Sequence, residues 1–159
     1  MVAEQDVALG SAAVAVDRWQ IQVGAMNKFE VGAISLHRLL VFWERTRPEA
    51  DRRRDTFDAV SGPLRAPSSS CPSVARGASA QLRVCIVDAA SRQAALGAAR
   101  TAVDDWVAHE GRIGDVSAGR LSGAALKSHW LRTWRTVVRD LVDYHRAVRQ
   151  LNGGSSCTV

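Results

Sequence analysis

Two histidines and a carboxylate, His109, Glu110 and His129, come closest to a chemical constellation in this chain. His109 and His129 are equidistant from Gly119, so a helical hairpin turning there brings both imidazoles to one level, with Glu110 adjoining the first. Imidazole nitrogens and a carboxylate oxygen suit a transition metal or a haem iron, which makes these three the candidate metal ligands. The Glu-x-x-His pair that di-iron carboxylate bundles carry is missing. The plainer expectation is two partly exposed histidines flanking a core tryptophan, with no cofactor.

Arginines form the second candidate. Arg38, Arg45 and Arg52 recur every seven residues, and Arg132, Arg135, Arg139, Arg146 and Arg149 follow helical spacing, so each set makes a ridge along one helix. A basic ridge can track a phosphate backbone or meet an acidic protein. No helix-turn-helix pattern, glycine-rich phosphate loop or base-stacking aromatic set accompanies it, which puts nucleic acid behind a protein partner. Arg132, Arg135 and Arg139 are the contact candidates, together with Trp134. That residue is a large apolar group at a position where the other half of the chain has Arg47. Nucleophilic catalysis has little support: Cys71, Cys85 and Cys157 lack neighbours that would lower a thiol pKa, and Ser68–Ser70 is linker composition. No catalytic residue is expected.

The elements that must position these residues are legible from a repeat. Displacing the chain by 87 positions lays residues 8–60 on 95–147 without a gap, and sixteen of the fifty-three positions are identical. Trp19 falls on Trp106, Gly32 on Gly119, Ser35 on Ser122, Leu39 on Leu126 and Trp43 on Trp130. Apolar residues at steps of three, four and seven, such as Leu9, Ala12, Val16, Trp19, Val23 and Met26, mark an amphipathic helix before each glycine, and a second stripe follows it. In the turns Gly32-Ala33-Ile34-Ser35 and Gly119-Arg120-Leu121-Ser122, glycine can close one helix in the left-handed conformation and serine can cap the next. Ile34 with Leu39, and Leu121 with Leu126, have hydrophobic-staple spacing.

Residues equidistant from a turn should meet, which predicts a Trp19–Trp43 pair and a Trp106–Trp130 pair, each with an ion pair nearby, Asp17–Arg45 and Asp104–Arg132. Pro48 removes an amide inside the second helix, and Thr46 with Glu49 has capping-box spacing, so a kink and a restart are expected there but not in the fourth helix.

At 159 residues and 47% hydrophobic, the chain is the size of one domain, 1–159. The expected division is hairpin repeat one over 3–60, a linker over 61–78 long enough to cross from one bundle end to the other, hairpin repeat two over 79–152, and a flexible tail over 153–159. The net charge of +5 rests on nineteen arginines against Lys28 and Lys127, a bias that points to GC-rich bacterial coding. Three cysteines at no metal-like spacing, acidic Glu4 and Asp6 near the start, and no long apolar run make cytoplasmic the expected location. The turns lack the Trp-x-Gly of small secreted WXG-type hairpins, and Tyr144 is followed four places later by Val148 rather than an acid, so no family is assigned.

The expected fold is all-α, a four-helix bundle of two tandemly duplicated antiparallel hairpins. The expected function is a non-enzymatic interaction module that binds a protein partner or itself. A ligand- or metal-binding bundle is the alternative, and nucleic-acid binding through the arginine ridges the second alternative.

Overall fold

A computed structural model describes the backbone of residues 2–62 and 80–153 and the side chains of 4–62 and 89–151. These residues form four helices and no strand: α1 (Val2–Glu30), α2 (Leu36–Ser61), α3 (Ala80–Ser117) and α4 (Gly123–Gly153). Most of the expected linker and tail, with Cys71, Cys157 and the side chain of Cys85, lies outside the described residues. No described helix is long and apolar enough to cross a membrane.

Both turns are built as the glycine and serine spacing predicts. Gly32 has φ 78° and Gly119 φ 73°, a region where a side chain would be strained by about 1 kcal/mol. The amides of Ala33 and Ile34 donate to the Lys28 carbonyl at 2.8 and 3.2 Å, and those of Arg120 and Leu121 donate to the Asp115 carbonyl at the same distances. Ser35 Oγ accepts from the Arg38 amide at 3.3 Å and Ser122 Oγ from the Ala125 amide at 3.1 Å, so each serine satisfies a donor that the first helical turn leaves free. Ser122→Ala should therefore lower stability by about 1 kcal/mol, read as a reduced urea midpoint with an unchanged slope.

Each hairpin buries its stripe against the other. Core residues come from all four helices, among them Val16, Trp19, Met26, Leu39, Phe57, Leu96, Trp106, Ile113, Leu126 and Val137. The main helix contacts are α1 with α2, α3 with α4, and α1 with α3. Arg92 pairs with Asp6 and Trp106 with Trp19, so α1 and α3 run side by side in the same direction. Ala8, Ala12, Ala95, Ala99 and Ala102 are fully buried, and such small side chains let two backbones approach closely. Because α1 and α3 are parallel, both turns lie at one end, where a Cβ on Gly123 would come within 2.9 Å of the Leu36 side chain. Consequently α2 ends at the same end from which α3 starts.

Several expected contacts form and others do not. Trp106 and Trp130 meet edge to face with centroids 6.4 Å apart. In the first hairpin Trp43 instead crosses to α3, where it lies over Gly114, while Trp19 packs on Trp106 at 5.8 Å. Neither Asp17–Arg45 nor Asp104–Arg132 pairs. Residues two apart on a helix point about 200° from each other, so an aspartate two places before a buried tryptophan faces solvent. At Pro48, α2 continues without a restart. The Thr46 hydroxyl donates back to the Phe42 carbonyl at 2.9 Å, as Thr133 does to His129, and Glu49 pairs with Arg52 and Arg53 rather than closing a capping box.

Candidate functional site

His109 and His129 do come together across α3 and α4, with ring centroids 5.1 Å apart. His109 is buried between Trp106 and Trp130, at 6.0 and 5.3 Å. Burial, and then the neighbouring His129, hold its pKa down to about 4, so it is a neutral ring at neutral pH. His129 is also lowered, by burial and then by Arg112 and Arg132. Glu110 parts from them. As the next residue it is turned about 100° around α3, and it lies instead near Trp106, Gln22, Arg54 and Asp51. The expected three-ligand set is thus split between two faces, and no three or more His, Cys, Asp or Glu among the described residues are grouped to hold a metal ion. Further along α4, Asp140 is buried against Asp105 and its pKa is raised to about 6, first by burial and then by the second carboxyl.

Both arginine ridges are only partly neutralised. On α2, Arg47 pairs with Asp51, Arg52 and Arg53 with Glu49, and Arg54 with Asp51 and Asp55, all within the helix, while Arg38 and Arg45 of the expected ridge have no acidic partner among the described residues. On α4, Arg139 pairs with Asp140 and Arg146 with Asp143, whereas Arg132, Arg135 and Arg149 have no acidic partner among the described residues. Leu131, Trp134 and Val142 stand exposed on the same helix, Trp134 at 39%. They are spaced by three and eight residues, which sets them on one face.

A third arrangement escapes the sequence. On the α1–α4 side of the core, Trp130 Nε1 donates to Asn27 Oδ1 at 3.0 Å. On the α2–α3 side the position 87 residues after Asn27 is Gly114, and there Trp43 Nε1 is buried without an acceptor. Beside it opens a groove of about 650 Å³ between α2 and α3, floored by Gly111 and Gly114 and reaching Glu110. Glu110, Arg54 and Val107 also line a smaller cavity of about 20 Å³ that touches Trp19 and Trp106.

No known family, curated protein or solved structure matches this chain.

The candidate sites are therefore defined by geometry alone: a neutral histidine pair, a basic and apolar face on α4, and the α2–α3 groove. The one sequence signal for the groove was a glycine standing where the repeat has asparagine.

Proposed function

We propose that this chain is a non-enzymatic interaction module, a four-helix bundle of two tandemly duplicated hairpins, that docks an acidic protein on the outer face of α4. The observation that carries this reading is Trp134, exposed on the same helix as Arg132, Arg135 and Arg149, which no acid among the described residues pairs. An exposed indole on a helix that also carries unpaired guanidinium groups is the composition enriched at binding hot spots. Duplication is supported by the shared residues, by two turns with the same hydrogen bonds, and by the seating of Trp19 on Trp106. A second copy fits the face less well than an acidic partner. A two-fold contact of α4 with itself sets Arg132 and Arg135 against like charge, which is repulsive unless screened by salt.

A photo-crosslinking residue at position 134, with a control at the exposed Val14 of α1, tests this in cells that make the protein. An acidic protein captured from 134 alone, and lost in Arg132→Glu/Arg135→Glu, is the expected result. Crosslinks between copies of the chain, or equal capture from both positions, reject it. Binding of duplex DNA at low salt that falls steeply with added salt would place nucleic acid on the ridge instead.

A further inference from the structure

We propose that the cleft between α1 and α2 binds a fatty acid, with its hydrocarbon chain along the helices and its carboxylate between Lys28 and Arg38. The cleft holds about 440 Å³, within the roughly 300–1,000 Å³ of small-molecule sites. Ile21 and Ala25 of α1, Ile34 of the turn and Phe42 of α2 give it apolar walls, and Gly24 leaves room between them. Ile21 is 48% exposed, so apolar surface here still faces water and is stabilised by being covered.

Charge selects the head group and its place. Lys28 and Arg38 are the charged residues of the lining, both stand at the end nearer the turn, and neither has an acidic partner among the described residues. Both are exposed, so a carboxylate can reach them from solvent and accept from an ammonium and a guanidinium together. At the other end stands Gln20, an uncharged amide already bonded to His145 Nε2 at 2.6 Å. From Ile21 to Lys28 α1 rises about 10 Å, the length of an alkyl chain of roughly eight carbons. The second hairpin carries no such lining. At 87 positions on, Ile21, Ala25, Lys28, Arg38 and Phe42 are replaced by Ala108, Arg112, Asp115, Ala125 and His129. Arg112 pairs there with Asp115 at 3.8 Å and His129 lies against His109, so the charge is balanced and the apolar wall is gone. The cleft thus belongs to the residues of the first hairpin and is not a by-product of joining two helices through this turn.

Gly24→Leu is the decisive substitution. A Cβ at Gly24 meets nothing within 4 Å, and leucine suits a helix interior better than glycine. The variant should therefore melt at or above the wild-type temperature with the cleft filled by its own side chain. Decanoate is the probe, titrated by calorimetry alongside octanoate and decylammonium, each below the concentration at which it forms micelles. Decanoate should bind about ten-fold more tightly than octanoate and at least about ten-fold more tightly than decylammonium. Gly24→Leu should weaken decanoate by about ten-fold or more. Lys28→Asp/Arg38→Ala, which places the residues of the second hairpin at two exposed positions, should weaken it to a similar degree. Absence of decanoate binding, equal affinity for the two charged heads, or undiminished decanoate binding in either variant overturns the proposal.

Discussion

Trp106→Ala should cost about 4 kcal/mol of unfolding free energy, a large share of the roughly 5–15 kcal/mol that holds a domain together. Trp106 is 3% exposed, packs edge to face on both Trp19 and Trp130, and donates from Nε1 to Gln22 Oε1 at 2.6 Å. Truncation therefore opens a cavity where the two hairpins meet and strands the buried Gln22 amide, a further 1–3 kcal/mol or so if no rearrangement meets it. Two phenylalanine variants separate these contributions. Trp106→Phe keeps most of the ring but loses the bond to Gln22 and should cost about 2 kcal/mol, whereas Trp43→Phe removes an N–H that has no acceptor and should cost less. Urea unfolding followed by circular dichroism reads all three. Equal losses in the two phenylalanine variants would show that the Gln22 bond adds nothing to the junction.

The contrast between those two tryptophans marks what could be read from the sequence and what could not. Turns are local events: one glycine with positive φ and one serine at the next N-cap set them, so Gly32, Ser35, Gly119 and Ser122 were legible directly. Distance from the turn was legible too, and it paired Trp106 with Trp130 and His109 with His129 correctly. Direction around the helix was not, because residues one or two apart diverge by about 100° or 200°. That is why Glu110 left the histidines and Asp17 and Asp104 stayed in solvent. Counting within a hairpin is also silent about contacts between hairpins, which sent Trp43 onto Gly114 and Trp19 onto Trp106.

Pairs of positions 87 residues apart explain where the two halves diverge. Near the line along which α1 and α3 meet, such positions face each other or each other's partners: Trp19 and Trp106 share that space edge to face, while other pairs set a large side chain against a small one. Leu36 accordingly fits against Gly123. Gln22 bonds the indole of Trp106, while His109, 87 positions later, packs on Trp130. Asn27 and Gly114 differ in the same way, with the groove as the result. Shared residues build the turns and the central tryptophan junction, while His109, His129, Trp134 and Gly114 stand where the halves differ.

Stability between pH 4 and 6.5 should be nearly flat in the wild type, because two buried groups oppose each other, and single substitutions should uncover each slope. His109 titrates near 4 in the folded chain against an ordinary 6.5. The unfolded chain therefore takes up the proton first, and the stability owed to the neutral ring, complete above about 6.5, is lost as pH falls toward 4. At about 1.4 kcal/mol per pKa unit the gap between 6.5 and about 4 amounts to some 3–4 kcal/mol in full. Asp140 runs the other way. Its folded pKa of about 6 stands above the ordinary 3.8, so the protonated carboxyl favours the fold at low pH, and that contribution is lost as pH rises through about 6. Glu110, raised by burial, adds to the Asp140 slope, and His129, lowered by burial, adds to that of His109. In Asp140→Asn, stability should fall on acidification from pH 6.5 to 4. In His109→Phe, which keeps an aromatic ring between Trp106 and Trp130, it should rise. Urea midpoints at half-unit pH steps give both curves, and slopes of the same sign in the two variants would remove the opposition. The expected divergence follows from placement alone: an imidazole and a carboxyl, each enclosed between α3 and α4, both favour their uncharged forms, and those forms lie on opposite sides of their titrations.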